Sequence, residues 1–344
     1  MSQHPTGEMR RPQTDDRVLW DIIQGISGYA AVFVAHDLHL FALLAERPCT
    51  LAEVCEALQI AHRPAEALLA VCASLGLVQV HAGRYRLTPV SEAYLVPSSP
   101  TFFGGLLDMV IATYATYSFD SVKHTVRTNA PQAYGGGDVP TSPQEHAARM
   151  RAFARGMHAR GMAPALAWPD VLDFANYRVM LDVGGGSGVY SITAAQRWPH
   201  LHAIVLDQAP VCEVAQEYIV QYGLQQRIRT QVGDMWQDPF PAADLHFYSG
   251  VYHDWPPEKC RMLTQKSFAS LAAGGRLIIH ELLYNDDKTG PFAVASFSVT
   301  MLMISEGQQF SGQELSTMLA EAGFTDIEVK PTFGYWSMVT GRKP

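Results

Sequence analysis

From residue 178 onward, short apolar runs that suit strands alternate with segments that suit helices. RVMLDV is followed by SITAAQRW, HAIVLD by PVCEVAQEYIVQ, and RIRTQVGD by a loop and then DLHFYSGVY. This alternation is typical of consecutive βαβ units. It predicts an α/β fold with a mostly parallel, doubly wound sheet and helices on both faces. A helix after Ser311 is followed by two strands that are close enough in sequence to pair antiparallel.

The N-terminal part has a different pattern, in which helices dominate. Residues 18–35 carry apolar side chains at helical spacing, so we expect a long helix with a wide apolar face. A capping-box pattern at Thr50 and Glu53 predicts a short helix, and a second helix follows Pro64. LVQV, HAGR and YRL then predict a small hairpin. Helix, helix and hairpin in this order indicate a winged helix.

Two functions compete for this winged helix. A helix that reads DNA presents Arg, Lys, Asn or Gln to base edges and phosphates. The second helix reads PAEALLAVCASLGL, which is apolar and carries an acid, so DNA binding is disfavoured. The apolar face of residues 18–35 is larger than so small a module can cover, and a symmetric homodimer would bury it.

Composition narrows the class of protein further. The chain has 344 residues and a formal net charge of −8, which gives no general attraction to nucleic acid or anionic membranes. No unbroken run of about eighteen apolar residues is present, so no membrane span is expected. The polar N-terminus lacks the apolar stretch of a secretory signal. Five scattered cysteines without a Cys-x-x-Cys pair favour reduced thiols in a cytoplasm.

We expect two domains. Residues 1–105 form the winged-helix domain, with 1–17 as a loose tail, because SSPTFFGG marks a boundary at its end. Residues 106–344 form the second domain, whose helices within 106–177 are expected to wall a cavity. The Gly/Pro-rich stretch 129–143 predicts a connecting loop, with a lid as the alternative.

The loop DVGGGSG lies at the carboxyl end of the first predicted strand of the sheet, where ligands of such folds bind. Its glycines let the backbone approach a ligand more closely than a Cβ would permit. The loop matches neither a Walker motif nor the G-x-G-x-x-G of dinucleotide sites. Asp182, Asp207 and Asp234 end three successive strands with no basic residue beside them. Such acids repel pyrophosphate and suit a ligand with ammonium, sulfonium and hydroxyl groups, such as S-adenosylmethionine.

These motifs make the chain resemble the S-adenosylmethionine-dependent small-molecule O-methyltransferases of the caffeate and hydroxyindole type, which include bacterial natural-product enzymes. The segments that carry the resemblance, in order, are LDVGGGSG, VLDQAP, GDMW, HDW and a final GF…G pattern. The resemblance runs from about residue 18 to the C-terminus. It implies a Rossmann-like, seven-stranded class I methyltransferase domain preceded by a mainly α winged-helix domain that forms homodimers.

The resemblance also implies roles for the strand-end residues. Asp182 and the loop glycines would line the methionine part of S-adenosylmethionine, Asp207 would hold the ribose, and Asp234 with Met235 would hold the adenine. Ser249 stands where plant members have a lysine, so a contact to cofactor or substrate there is absent or water-mediated. The full expected cofactor set is Asp182, Gly184, Gly186, Asp207, Gln208, Gly233, Asp234, Met235 and Ser249.

His253 matches the catalytic base of the family, and Asp254 follows it as in the HDW motif. A base near neutrality can take the proton of a phenol, whose pKa is about 10. Glu281 falls where the family places the acid that orients this histidine. Gln309 replaces a second glutamate, so Glu281 would carry the charge alone unless Glu306 also reaches the site.

The acceptor is expected to be a hydroxylated aromatic or polyketide-like molecule. Met and aromatic side chains form an adaptable apolar slot for a flat ring. The residues expected to line it are Phe153, Met157, Met301 and Met303, with Phe297 one turn before Met301. His280 alternates away from His253 and is interpreted as structural. No spacing typical of a metal site occurs.

Three alternatives stay open at this point. The base could serve methylation at carbon on an activated ring or enol, because the second glutamate is missing. The chain could bind the cofactor without methylating, although His253, Asp254 and Glu281 are intact. A ligand-sensing DNA regulator is the third, against which the apolar second helix argues.

Overall fold

The structure is a computed structural model that describes residues 11–131 and 142–344. The expected tail therefore lies in part, and the predicted Gly/Pro loop for the most part, outside the described residues. The chain divides into two compact units, with the boundary between Phe102 and Phe103.

The first unit contains the predicted winged-helix layout. Its two central helices are followed by a hairpin in which Val78 pairs with Leu87. Thr50 caps the third helix through the predicted capping box with Glu53. The elements are α1 Arg17–Asp37, α2 Leu40–Glu46, α3 Leu51–Leu58, α4 His62–Ser74, β1 Val78–His81, β2 Arg84–Leu87 and α5 Pro89–Tyr94.

The second unit is an α/β fold, as the sequence predicts. Its first part is α6 Gly104–Ala112, α7 Phe119–Thr128, α8 Pro143–Ala167, β3 Val179–Val183, α9 Val189–Arg197, β4 His202–Asp207 and α10 Ala209–Gln221. Its second part is β5 Ile228–Val232, β6 Leu245–Ser249, α11 Pro257–Ser270, β7 Arg276–Leu282, α12 Phe292–Ile304, α13 Gly312–Ala322, β8 Thr325–Phe333 and β9 Trp336–Arg342. Short 3₁₀ turns precede α7, follow α8 and carry residues 252–254.

Among the described residues, strands β3 to β9 form one seven-stranded sheet in the order β5-β4-β3-β6-β7-β9-β8. The first five strands are parallel, and the closing pair β8 and β9 is antiparallel, as the sequence predicts. The strand order reverses at β3, whose neighbours are β4 on one side and β6 on the other. Such a switch point opens a crevice at the carboxyl ends of the strands.

Alternating residues of the strands feed two cores, one on each face of the sheet. Met180 and Phe247 face one core, where Trp168 packs on Phe247 with ring centroids 4.3 Å apart. Leu181 and Tyr248 face the other. Because both faces are covered, the strands are nearly continuously apolar, and a polar residue at a strand end is conspicuous.

Helix α1 is the least covered element of the first unit. Its exposed apolar side chains include Leu19, Ile22 and Ile26. By length and composition alone α1 is apolar enough to cross a membrane, and it is the one such helix in the part of the chain that the structure describes. However, Asp21 and Gln24 lie within this helix and give it a polar side. A helix with one polar and one apolar side is suited to packing against protein rather than to crossing a membrane.

A carboxylate on the apolar face of α1 should disrupt a homodimer. In Ile26→Asp, two-fold symmetry would bury one unpaired acid per subunit, so we expect the dimer dissociation constant to rise roughly 100-fold or more. Sedimentation velocity over a concentration series measures this constant. Gln24→Asp adds the same charge to the same helix away from that face and should leave the dimer intact. A monomeric wild type, or equal dissociation constants in the two variants, would contradict the dimer prediction.

Candidate active site

The glycine loop follows β3 at the switch point of the sheet. Gly184 and Gly186 have φ values of +66° and +58°, which side chains with a Cβ rarely adopt. A Cβ at Gly184 would lie 2.9 Å from Val251. Apart from Gly186 and its two chain neighbours, no atom of the described residues lies within 4 Å of the position that a Cβ at Gly186 would take. The backbone at Gly186 is therefore bare toward the crevice.

Asp182 lies beneath this loop and is almost fully buried. Its Oδ2 accepts a hydrogen bond of 2.7 Å from the Ser191 hydroxyl. Burial raises the pKa of Asp182 to about 7, the Ser191 hydrogen bond opposes this rise, and the nearby Asp207 carboxylate adds to it. A cation bound in the crevice would favour the ionised form and lower this pKa.

Asp207 ends β4 and points toward the same loop. Its two carboxylate oxygens accept backbone hydrogen bonds from Gly186, at 2.9 Å, and from Gln208, at 2.7 Å. Burial raises the pKa of Asp207, although these two backbone donors oppose the rise. Each carboxylate oxygen has a second lone pair, so Asp207 can still accept from a pair of ligand hydroxyls.

The segment after β5 closes this end of the crevice. The Asp234 Oδ1 accepts from the Trp236 backbone at 2.7 Å, which fixes a tight turn around Met235. A Cβ at Gly233 would lie 2.9 Å from the Cδ1 of Leu206, so this segment packs closely against β4. Lys266, which the sequence analysis did not single out, donates to the Met235 carbonyl at 2.6 Å.

His253 and Glu281 form a buried pair that joins the turn after β6 to the neighbouring strand β7. His253 lies in the 3₁₀ turn after β6, and Glu281 lies near the end of β7. The His253 Nδ1 is 2.6 Å from the Glu281 Oε2, and the two side chains are 4 % and 2 % exposed. The Glu281 Oε1 accepts from the backbone N–H groups of Tyr252 and His253, at 3.0 and 3.4 Å. With Nδ1 facing a carboxylate, Nδ1 carries the proton and Nε2 is the free basic nitrogen of the neutral ring.

The carboxylates around His253 control its protonation. Burial by itself lowers the pKa of this ring, but the charges of Glu281 and Asp254 outweigh burial and hold the pKa above its ordinary value. The Asp254 Oδ1 lies 3.8 Å from the His253 Nε2, too far for a hydrogen bond. Asp254 therefore acts on the ring through charge rather than through contact.

Two residues expected to support His253 do not reach it. The Gln309 side chain is buried, and its amide has no hydrogen-bond partner among the described residues. Glu306 instead forms an exposed ion pair with Lys259 at 2.7 Å. The described residues therefore show no hydrogen bond from Gln309 to His253. Glu306, which the sequence leaves as a possible second acid, pairs with Lys259 instead of reaching the site. Their segment contacts the site through Gly307, where a Cβ would lie 2.0 Å from the His253 carbonyl oxygen.

Ser249 and His280 form a separate polar pair across β6 and β7. The Ser249 hydroxyl is 3.0 Å from the His280 Nδ1, and the Thr332 hydroxyl is 2.9 Å from its Nε2. Burial lowers the pKa of His280 to about 3, so this ring is neutral. Both ring nitrogens are occupied by hydroxyls, which fits the structural role expected for His280.

The residues expected to line the acceptor slot differ in exposure. Met301 and Met303 are buried, Met157 is half-buried, and Phe153 is 39 % exposed. Phe297 packs edge-on against the His253 ring, with centroids 5.3 Å apart.

Two further residues, which the sequence analysis did not single out, lie around Phe297. The space between these residues and the expected acceptor slot is called the acceptor chamber below. The Arg160 guanidinium lies over Phe297, 4.5 Å from its centroid, and 5.0 Å from the ring of Trp336. Arg160 stands three residues after Met157, so the helical spacing that singled out Phe153 and Met157 contained a signal for it. No local signal in β9 pointed to Trp336.

Helix α8 also touches the glycine loop. The His158 Nδ1 is 2.9 Å from the Ser187 hydroxyl, and its ring stacks on Tyr218 with centroids 3.7 Å apart. Burial lowers the pKa of His158 to about 4. No group of three or more His, Cys, Asp or Glu side chains in residues 11–131 and 142–344 is arranged to hold a metal ion.

An acid-edged crevice at the switch point of a doubly wound α/β sheet, with a buried His–Glu pair beside it, is typical of an enzyme that acts on a small molecule. Comparison with known proteins shows the family. The family model of the O-methyltransferase domain matches residues 119–325, and that of the O-methyltransferase dimerisation domain matches residues 20–97. The chain belongs to the O-methyltransferase family, as its resemblance implied.

Individual relatives agree with this assignment. The chain is 34 % identical over 314 residues to 3-hydroxy-5-methyl-1-naphthoate 3-O-methyltransferase of Streptomyces sahachiroi, covering 90 % of each chain. It is 27 % identical to the tetracenomycin polyketide synthesis 8-O-methyl transferase TcmO of Streptomyces glaucescens, covering 97 % of this chain and 99 % of that protein. The crystal structure of human N-acetylserotonin methyltransferase in complex with SAM is 26 % identical, with a TM-score of 0.82. That match covers 97 % of this chain and 99 % of the human one.

Replacing Glu281 should lower the pKa of His253. In Glu281→Gln the side chain keeps its shape and can still accept a hydrogen bond, but its negative charge is lost. Burial then lowers the His253 pKa, because the charge that raised it is gone. Ring carbon chemical shifts of labelled histidine, followed by NMR over a pH series and assigned with His253→Gln, measure this pKa. Glu306→Gln removes a surface carboxylate and should leave it unchanged. The same His253 pKa in wild type and Glu281→Gln would contradict the electrostatic role of Glu281.

Proposed function

We propose that this protein methylates a hydroxyl group of an aromatic or polyketide-like small molecule with S-adenosylmethionine, and that His253 is the general base. The observation that carries this proposal is the buried His253–Glu281 pair, 2.6 Å between Nδ1 and Oε2, whose ring also packs edge-on against Phe297. Membership of the O-methyltransferase family supports the reaction type.

The residues of the crevice fit S-adenosylmethionine. The open backbone at Gly186 accommodates the methionine part, and the buried Asp182 supplies a negative charge for its cationic groups. Asp207 has two lone pairs left for the ribose hydroxyls. The turn of Asp234 and Met235 would receive the adenine, as the family resemblance implies. Gly184, Gln208, Gly233 and Ser249 shape this crevice and complete the proposed cofactor set.

When bound, S-adenosylmethionine supplies an electrophilic methyl group on a sulfonium. The chain must then make the acceptor oxygen nucleophilic. In its neutral form, the ring of His253 takes the acceptor proton on Nε2, and general-base catalysis of this kind contributes about 10²–10⁴-fold in rate. The resulting imidazolium has its charge balanced by Glu281 through Nδ1 and by Asp254 at 3.8 Å. The neutral amide of Gln309 cannot balance the imidazolium charge, so the two carboxylates would balance it alone.

The acceptor would lie among the apolar side chains of α8 and α12. Phe153, Met157, Met301 and Met303 are proposed to form its slot. The relatives named above act on a hydroxynaphthoate and on a tetracenomycin intermediate in Streptomyces. Their names support an aromatic, polyketide-like acceptor and a role in natural-product biosynthesis.

We further propose that residues 1–105 form the homodimerisation domain and residues 106–344 the methyltransferase domain. The match of residues 20–97 to the dimerisation model and the exposed apolar face of α1 support the first part. A cytoplasmic location is proposed as well, since the five cysteines are all free thiols.

Removing the base should abolish most of the turnover and leave cofactor binding intact. For His253→Gln we expect kcat to fall by about 10²–10⁴-fold, because glutamine cannot accept the acceptor proton. Label transfer from methyl-labelled S-adenosylmethionine measures turnover, and calorimetry measures cofactor affinity. His202→Gln changes an exposed histidine and should retain full turnover. Undiminished turnover in His253→Gln would refute the base assignment.

Cofactor affinity should depend on the ionisation of Asp182. The pKa of Asp182 is raised to about 7 in the unliganded protein, and a bound cation favours its ionised form. The affinity for S-adenosylmethionine is therefore fully present above pH 7 and weakens up to about tenfold per pH unit as the pH falls below that value. Calorimetric titrations between pH 5.5 and about 8.5 measure this effect.

Adenosine is the control ligand for this titration, since it lacks both the ammonium and the sulfonium and should bind with little pH dependence. Asp182→Asn should flatten the pH dependence for S-adenosylmethionine. A flat profile in the wild type, or the same slope in Asp182→Asn, would remove Asp182 from the cofactor site.

A further inference from the structure

One cation lies inside the acceptor chamber, and the methyl-transfer scheme above does not use it. Arg160 extends from α8 so that its guanidinium lies over Phe297, at 4.5 Å, and over Trp336, at 5.0 Å. The same Phe297 ring packs edge-on against His253. Arg160 and the base therefore touch the same aromatic side chain.

The hydrogen-bonding groups of Arg160 are almost entirely unused. A guanidinium has five N–H donors in one plane. The structure shows one contact for them, from Nη1 to the Met157 sulfur at 3.7 Å, and a thioether is a weak acceptor. The Nη2 atom is buried and has no hydrogen-bond partner in the described residues.

No carboxylate of the described residues lies within ion-pairing distance of Arg160. Glu281 and Asp254 are close enough to act on its charge but remain more than 4 Å away. Burial lowers the pKa of Arg160, which shows that the charged form is penalised at this position. The neighbouring arginines of α8 differ, because Arg151 and Arg155 each form an exposed ion pair with a glutamate of α10.

The two aromatic rings do not remove this penalty. A cation over an aromatic face gains electrostatic attraction from the ring, but the ring provides no acceptor for N–H donors in the guanidinium plane. A buried donor without an acceptor destabilises the protein. A planar oxyanion that accepts two parallel N–H bonds would satisfy both the charge and the donors.

We propose that Arg160 binds a carboxylate of the methyl acceptor, so that the substrate is a hydroxylated aromatic acid. This inference rests on the proposed function and names the chemistry of its acceptor. The carboxylate would pair with Arg160 while the hydroxyl of the same molecule meets the His253 Nε2. Because the Arg160 guanidinium and the His253 ring both contact Phe297, an acceptor with one or two aromatic rings can reach both side chains. Its rings would lie against the apolar walls of the chamber.

The arrangement also assigns Arg160 a positioning role. A bidentate pair fixes the direction of the ring that carries the carboxylate, and this selects which hydroxyl meets the base. An ester or amide of the same acid offers a neutral carbonyl in place of the oxyanion. It should bind more weakly and place its hydroxyl less uniformly.

The test compares acids with their esters in three variants. The probes are the isomeric hydroxynaphthoic acids and their methyl esters. Binding is measured by calorimetry in the presence of S-adenosylhomocysteine, and turnover by label transfer from S-adenosylmethionine. The variants are Arg160→Gln, Arg160→Lys, which keeps the charge without the planar fork, and Arg155→Gln, which removes a surface arginine of the same helix as the control.

The wild type should bind at least one acid roughly 30-fold or more tightly than its ester, the scale of truncating one partner of a buried charge pair. Arg160→Gln should remove that preference, mainly through KM, and leave ester binding unchanged. Arg160→Lys should retain part of it, and Arg155→Gln all of it. S-adenosylhomocysteine affinity equal to that of the wild type shows that each variant is folded.

The outcomes separate this inference from the proposed function. If the acids bind preferentially through Arg160 but no methyl group is transferred to any probe, the proposed function fails and the carboxylate site stands. If esters are methylated as well as acids, or Arg160→Gln keeps the preference for the acid, the proposed function stands and the carboxylate site is refuted. A wild type that binds no acid more tightly than its ester also overturns it.

Discussion

The buried carboxylate of Glu281 is the interaction on which the geometry of the active site depends. It accepts hydrogen bonds from the backbone N–H groups of Tyr252 and His253 and from the His253 ring. β6 and β7 are parallel with Ser249 opposite His280, so Glu281 stands one residue beyond that pair and reaches the turn after β6. The Glu281 side chain therefore fixes both the backbone of the turn after β6 and the His253 ring. Desolvation of this charge is offset by the hydrogen bonds that it accepts.

The charges at the carboxyl edge of the sheet divide the site in two. Asp182 and Asp207 lie around the glycine loop, and a cationic donor of methyl groups complements them. Arg160 lies in the acceptor chamber, and an anionic acceptor complements it. A cationic methyl donor and an acceptor that carries the proposed carboxylate would bear opposite charges, which would favour their approach before the reaction. In the proposed mechanism, the His253–Glu281 pair would take up the proton of the acceptor hydroxyl.

The sequence predicted which residues meet at the carboxyl edge of the sheet, because the signals for them are local. A strand, a bare loop and an acid at the strand end are contiguous in LDVGGGSG, and the parallel sheet brings Asp207 and Asp234 to the same edge. The pairing of His253 with Glu281 was accessible only through the family resemblance, since the two residues are 28 positions apart. Gln309 was placed by alignment with a glutamate. The segment that carries Gln309 does contact His253, but through Gly307. There the backbone approaches so closely that no room is left for a side chain.

The acceptor half could not be predicted in the same way. Arg160 has its environment set by Phe297 of α12 and Trp336 of β9, and no local pattern relates these elements. On a helix with mixed polarity, an arginine usually reaches solvent, as Arg155 does. Only the tertiary packing separates the half-buried Arg160 from the exposed arginines of the same helix, and sequence patterns describe such long-range contacts least.

Helix α8 connects the two halves. His158 holds Ser187 of the glycine loop, while Met157 and Arg160 face the acceptor chamber. The helix packs closely at two glycines, since a Cβ at Gly156 would lie 3.3 Å from the Met109 sulfur and one at Gly161 3.1 Å from Val189. Closely packed elements transmit displacement rather than absorb it. A displacement of α8 would therefore move Arg160 together with the contact that His158 makes to the glycine loop.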